Sequence, residues 1–402
     1  MAKLIFKSLK FEENKDIVKV KLYNIFYFTM PKSDLSNIDK KIKINKNSIV
    51  FPLINQQNAE RKFNFLLQKY MPDLKNALNN KPTIYIHKNS GIPLIGSNVF
   101  GIVDRNTSII EVKPITGCNL DCIYCSVDEG KSSKKQTDFV IEKEYLVEEL
   151  KKLIKFKNID GIEVHVGTQG EPLLYQPLLE FVKDVKKIKQ VKVISINTNG
   201  LLFTKKSLGE FVKAGLNQIN LSVNTLDKKK ASKIANTPYD VDHIIKIAEY
   251  ASKKVSLRLA PVLLDKINVF DMEEIVKFAI KIGAKLGIQN YLYYSKGRKP
   301  CKQLSWDKFF DILKKLEKKH DVRLILNEKD FNIIKTNPLP KPFKNNSFIK
   351  AKIVCNGRYK DEFIAVSENR TITVYSKKQL KIGSLVKIKI KRSKHNVFSS
   401  TI

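Results

Sequence analysis

The chain has 402 residues, 43% of them hydrophobic, enough apolar material for one large domain with smaller ones beside it. Seventy-four Lys and Arg against forty Asp and Glu leave a net charge of +34, a field that attracts polyanions and makes their binding salt-dependent. Five cysteines, an odd number, argue against a disulfide scaffold. No apolar run approaches the ~18 residues that span a bilayer, and MAKLIFKSLKFEENKD at the start lacks a signal-peptide core. A cytoplasmic protein with reduced thiols is expected.

Residues 1–105 read as a small α+β unit with no assignable role. VKVKLYNIFYF (18–28) and IKINKNSIVF (42–51) are expected strands, and 58–78 is an expected helix broken near Pro72. NSGIPLIGSN (89–98) marks a loop. FGIVDRNTSIIEVKP (100–114) carries a hairpin signal, the turn DRNTS between two β-branched runs. Strands and helices then alternate. Helices over 141–157, 176–187, 205–214, 240–252 and 271–282 precede strands over 162–167, 191–197, 218–224, 255–264 and 286–294. These strands are near-continuous apolar runs, as in a parallel sheet covered by helices. With the strand that enters the cysteine-rich loop they make six β/α units, too few for the usual eight-stranded barrel. An α/β class with a partial, open (β/α)6 barrel over 106–335 is expected, finished by a helix at 305–319 and a strand at 322–326.

TGCNLDCIYCSVDEG (116–130) places Cys118, Cys122 and Cys125 within eight positions. A structural zinc site takes four Cys or His ligands, and the nearest histidines, His87 and His165, lie more than thirty residues away. A ferredoxin cluster also takes four thiolates. Three thiolates on a 4Fe–4S cube leave one iron open to substrate chemistry. Chance spacing, or zinc with a distant fourth ligand, is the plainer alternative. With Tyr124 just before its third cysteine, the motif resembles that of the radical S-adenosylmethionine (SAM) superfamily. That family carries it in the loop after the first strand of a partial β/α barrel. The resemblance implies that Cys118, Cys122 and Cys125 hold a 4Fe–4S cluster whose fourth iron is chelated by the amino and carboxylate groups of SAM. It implies that an electron from the cluster splits the sulfonium, giving a 5′-deoxyadenosyl radical that abstracts a substrate hydrogen. An external donor such as a ferredoxin or flavodoxin would supply that electron.

The same resemblance extends along the sheet. GTQGEP (167–172) stands where the family carries Gly-Gly-Glu for the methionine amine; Gly170 and Glu171 match, while Gln169 replaces the first glycine. An ordinary strand-to-helix turn at Pro172 is the bland reading. Asn197, Thr198 and Asn199 in SINTNG are candidate donors to the ribose or carboxylate of SAM, although Asn199-Gly200 is also a plain turn signal. Ser222 and Asn224 share one strand face by two-residue alternation. Arg258 puts a cation inside an apolar strand and needs a partner, either the methionine carboxylate or a structural carboxylate. Gln289 is a candidate near the adenine.

Cys301 and Cys355 lie in basic surroundings expected to lower a thiol pKa. They are bystanders, or a radical-quenching or methyl-carrying pair of the kind some radical SAM RNA methylases use. TNPLPKPFKNN opens a proline-rich linker (336–349). Residues 350–402 hold 13 Lys and Arg against 3 acidic residues, +10, in short β-like runs that suggest a small all-β barrel. These alternating runs, with Gly383 before a final basic strand, resemble the TRAM domain of RNA-modifying enzymes. Lys387, Lys389 and Lys391 share one strand face, with Arg392 beside them, for phosphate contacts; Tyr359, Phe363 and Tyr375 are available for base stacking. Methylthiotransferases that combine such domains draw three further cysteines from an N-terminal domain, and residues 1–105 hold none. The expected function is radical SAM modification of RNA, tRNA foremost, by methylation or a related C–H functionalisation. The alternatives are the same chemistry on a peptide or small molecule, or an RNA-binding protein with a structural or redox-sensing cluster. The tail is expected to be dispensable for SAM cleavage, since every motif for the cluster and its pocket precedes the linker.

Overall fold

A computed structural model describes residues 1–167 and 169–402. Its central sheet has seven strands: β1 (Gly101–Asp104), β2 (Ile109–Lys113), β3 (Ile162–Val166), β4 (Val191–Thr198), β5 (Gln218–Leu221), β6 (Ser256–Leu259) and β7 (Lys285–Leu286). Spatial order follows chain order, with β1 antiparallel to β2 and β2 through β7 mutually parallel. The crossovers are α1 (Lys143–Lys157), α2 (Leu178–Lys186), α3 (Lys205–Ala214), the pair α4 (Lys228–Ala235) and α5 (Val241–Ser252), and α6 (Asp271–Ile282). Each parallel connection needs such a crossover.

The strands alternate more than their composition suggests. Ile162, Val164 and Val166 of β3 and Ile194 and Ile196 of β4 are buried in the main core. Between them stand Glu163, His165, Ser195 and Asn197, on the opposite face. Ser195 Oγ donates to Glu163 Oε1 at 2.5 Å and lies 2.7 Å from His165 Nδ1. One side of the sheet therefore packs on helices while the other carries polar groups toward the site.

The structure departs from the expected elements for local reasons. The run 18–28 is two antiparallel strands, Ile17–Leu22 and Phe26–Pro31, because Tyr23 and Asn24 take left-handed backbone and turn the chain. The run 255–264 is interrupted at Pro261, which has no N–H to give, and resumes as Val262–Leu263 paired with Gln289–Asn290. No strand forms at 322–326, where the amides of Leu324 and Ile325 bind Glu317 Oε1 instead of a neighbouring strand. Helix α4, absent from the expected set, is capped by Asp227, whose side chain accepts from Lys230 N at 2.6 Å.

The N-terminal unit combines a four-stranded antiparallel sheet, a three-stranded sheet and the helix Gln56–Tyr70. Its strand Thr83–Ile86 pairs in parallel with Asp138–Ile141, just beyond the cysteine loop. The C-terminal segment is a closed barrel of β8 (Phe348–Asn356), β9 (Glu362–Ser367), β10 (Arg370–Tyr375), β11 (Leu385–Arg392) and β12 (Ser399–Thr401), in the order β8-β9-β10-β12-β11. Ile353, Phe363, Ile372, Val374, Ile388, Ile390 and Phe398 fill it, with Phe343 from the expected linker. That segment is thus partly core, contrary to its composition. The barrel docks on the 93–98 loop: Thr371 N donates to Ile95 O, Thr371 Oγ1 to Pro93 O, and Phe398 N to Gly96 O. A Cβ at Gly96 would lie 2.0 Å from Thr371 O, so only glycine permits this approach. Among the described residues no helix is long and apolar enough to cross a membrane.

Candidate functional site

The parallel strands end at a cavity of about 290 Å³, the place where open α/β sheets receive ligands. Cys118, Cys122 and Cys125 line one wall, on the loop that leaves β2. Tyr124, Gly170, Glu171, Asn197, Thr198, Asn199, Ser222, Asn224 and Gln289 line the remainder. Nine of the ten sequence-derived cofactor candidates therefore face one space. Arg258 does not line it: its head lies over the Phe331 ring at 4.8 Å, with Nη1 3.5 Å from Asn220 Oδ1. Ala231, Ile234 and Ala235 of α4, together with Tyr239, Ala260 and Val262, add an apolar wall that sequence reasoning missed.

Burial pushes all three thiols up, Cys122 to about 12. Thiols so placed ionise only beside compensating positive charge, which is what iron would supply. The Sγ atoms already receive backbone donors, Leu120 N on Cys118 at 3.4 Å and Glu129 N on Cys125 at 3.2 Å. The three thiols line one wall of the same cavity. That donor set fits a cluster gripped at three corners.

Glu171 is buried and meets three donors: Thr198 Oγ1 donates to Oε1 at 2.7 Å, Leu173 N to Oε1 at 3.0 Å, and Asn199 N to Oε2 at 2.8 Å. Three of the roughly four acceptor positions of a carboxylate are used, leaving one for a cation in the cavity. Burial raises its pKa to about 6 against these stabilising donors. A Cβ at Gly170 would sit 2.0 Å from Gly117 O, and Glu171 N donates to that oxygen at 2.8 Å. Gly170 is thus required by a close approach of the two loops. Tyr124 holds a different position: its hydroxyl accepts from Asn224 Nδ2 at 2.7 Å, while Asn224 Oδ1 accepts from Val262 N. Tyr124 and Asn224 thereby tie the cysteine loop to the end of β5.

Two arginines that sequence reasoning passed over hold the cysteine loop. Arg298 donates from Nη1 to Cys122 O at 3.0 Å, and its Nε and Nη2 reach Asp128 and Asp121 at 2.8 Å each. Arg358, from the C-terminal barrel, reaches Val127 O, Asp128 O and Gln169 Oε1. A residue beyond the linker therefore touches the loop that carries the cysteines, which the order of the motifs along the chain did not show.

Cys301 and Cys355 do not line the cavity and lie apart from each other. Burial raises both thiols, Cys355 to about 12, which overturns the expectation that basic neighbours lower them. On the barrel, Lys387 and Lys391 are exposed and Lys389 half-buried on the outer face of β11, with Arg392 at its exposed end. Phe363 points into the barrel and is unavailable for stacking, whereas Tyr375 is partly exposed. Phe348, which sequence reasoning missed, stands 61% exposed with Lys387 and Lys389 over its ring at 5.1 and 5.6 Å.

Residues 112–279 match the Radical SAM superfamily. An uncharacterised protein of Methanocaldococcus jannaschii is 38% identical over 355 residues, 81% of this chain and 82% of that protein. A GTP 3′,8-cyclase of Thermodesulfovibrio yellowstonii is 32% identical over 182 residues, 44% of this chain and 53% of the cyclase. Among solved structures, Streptococcus suis SuiB bound to S-adenosylmethionine aligns over 80% of this chain and 71% of that one, at 16% identity and a TM-score of 0.42.

Proposed function

Since this chain belongs to the radical SAM superfamily, with a 4Fe–4S cluster and SAM as its cofactors, we propose that it modifies RNA, tRNA foremost, docked through its C-terminal barrel. Cys118, Cys122 and Cys125 hold the cluster, which supplies the electron that cleaves SAM after delivery by an external donor such as a ferredoxin or flavodoxin. Glu171 takes the methionine ammonium on its remaining acceptor position. Asn197, Thr198, Asn199, Ser222 and Asn224 orient the ribose and carboxylate from the strand ends, with Gln289 toward the adenine. The apolar α4 wall excludes water from the reacting atoms. Arg258 is set back from this cavity and acts on the polar interior face of the sheet, not on the carboxylate.

The observation that carries the RNA reading is Phe348, an exposed ring flanked by Lys387 and Lys389 on the closed C-terminal barrel. A base stacks on such a ring while the ammonium groups meet phosphates. The segment that packs on the cysteine loop repeats the combination. Tyr293 and Tyr294 are about half exposed, Lys299 lies over Tyr293, and Lys296 lies over Tyr359 of the barrel at 4.5 Å. Gly297 in the same segment packs on Ser126 of the cysteine loop.

Nucleoside mass spectrometry of RNA from a deletion strain and its parent tests this reading. One modified nucleoside is expected to vanish and to return with the gene. A second reading, the same chemistry on a small molecule, draws on the similarity to GTP 3′,8-cyclases; an unchanged RNA profile would favour it.

A further inference from the structure

We infer that the C-terminal barrel is a working part of the reaction centre, with Arg358 a positioning residue for the cluster-binding loop and for the turn before Glu171. This inference is independent of the identity of the substrate. Arg358 sits between β8 and β9, with a side chain 4% exposed. Its Nη2 donates to Val127 O and to Asp128 O at 3.1 Å and pairs with Glu129 Oε1 at 2.8 Å. Its Nη1 donates to Gln169 Oε1, and Gln169 Nε2 in turn donates to Asn98 O at 3.3 Å. Its own carbonyl accepts from Gln136 N at 2.7 Å. One residue of the barrel therefore clamps both ends of the 127–136 loop.

The clamp acts on the site through two short paths. Glu129 lends its amide to Cys125 Sγ at 3.2 Å, so holding the Val127–Glu129 backbone aims that N–H at the thiolate. Gln169 immediately precedes Gly170 and Glu171, so fixing its side chain fixes the turn that presents the Glu171 carboxylate. The residue that departs from the usual glycine is therefore the one that receives the barrel. Glu129 also pairs with the buried Lys135, which pairs with Asp138 at 2.6 Å. In this quartet two cations face two carboxylates, and losing Arg358 leaves an unbalanced negative charge beside the cysteines. A guanidinium is required because only its planar fork reaches Gln169 on one nitrogen and two carbonyls on the other.

The test uses the full-length protein with Arg358→Met, Arg358→Lys and Gln169→Ala. Backbone hydrogen exchange and alkylation of Cys125 are measured on the apo protein. Iron release to a chelator is measured after anaerobic reconstitution. Arg358→Met is expected to speed exchange over 127–133, alkylation and iron release by about tenfold or more each, with exchange over β9 and β10 unchanged. Arg358→Lys, which keeps the charge and loses the fork, is expected to fall between Arg358→Met and wild type. Gln169→Ala is expected to weaken SAM binding several-fold while leaving iron release alone. Should Arg358→Met not fold, the Lys and Ala variants carry the test. Wild-type exchange, alkylation and iron release in a folded Arg358→Lys or Arg358→Met would overturn the assignment, as would unaltered SAM affinity in Gln169→Ala.

Discussion

The strand ends and the outer face of the barrel use polar groups in opposite ways. At the strand ends Glu171 is buried and meets three donors, among them the Thr198 hydroxyl and the Asn199 backbone N–H. On the barrel, Lys387 and Lys391 stand in solvent, and Lys387 lies over the Phe348 ring. The first arrangement fixes one ligand in one pose, because every misplaced group would be a buried, unpaired one. The second suits a large polyanion, whose phosphates are met by mobile cations at small ordering cost to the protein. Under the proposed function, cofactor specificity resides in the sheet and substrate capture on the barrel.

Breaking the sheet side has the larger consequences. Cys122→Ala is expected to leave reconstituted protein well short of about four irons per chain and to reduce 5′-deoxyadenosine release to background; full iron with retained cleavage contradicts the ligand assignment. Glu171→Gln removes the charge that receives the ammonium, and SAM affinity should fall about 10- to 100-fold, the range for hydrogen bonds to charged groups. Its pH dependence sharpens the point. Burial lifts the Glu171 pKa to about 6, so the carboxylate of the free protein is ionised above that value and gains a proton below it. SAM affinity should therefore weaken as pH falls through about 6 in the wild type and stay flat in Glu171→Gln, read by calorimetry.

The barrel side yields graded effects. Phe348→Ala should weaken RNA binding by about 1–3 kcal/mol, the usual value of one stacked base, with SAM cleavage in the absence of RNA unchanged. Each neutralisation among Lys387, Lys389 and Lys391 should flatten the plot of log affinity against log salt by roughly 0.7–0.9. Salt slopes identical to wild type in the triple variant would move the RNA contacts elsewhere on the molecule.

Much of the sheet side was legible in the sequence, because its chemistry is local. Three cysteines within eight positions, Gly170-Glu171 after β3 and polar residues closing β4 and β5 each announce themselves in a few residues. Even helix α4 carries a signal, Asp227 capping KKKASKIA, but it is a short one set in a lysine-rich stretch. Arg358 carries none, for it meets Asp128 across 230 residues of chain and its sequence context, NGRYK, reads as one more basic turn. Arg258 misleads for the converse reason. Its place in an apolar strand left the methionine carboxylate and a structural carboxylate open, and it turns to Phe331, Asn220 and the field of Glu163 on the polar face of the sheet. Phe363 and Phe348 show the same limit on the barrel, where the register of a closed sheet decides which ring is buried and which is offered.

The most direct measurement of the central claim couples the two regions in one reaction. Reconstituted full-length protein is given SAM and dithionite, with total RNA from the deletion strain, RNA from the parent, or no RNA, and 5′-deoxyadenosine is quantified beside modified nucleosides. The account predicts that RNA from the deletion strain raises 5′-deoxyadenosine formation above the other two reactions, with a new modified nucleoside appearing in proportion. Equal 5′-deoxyadenosine in all three reactions, with no nucleoside altered, would contradict it.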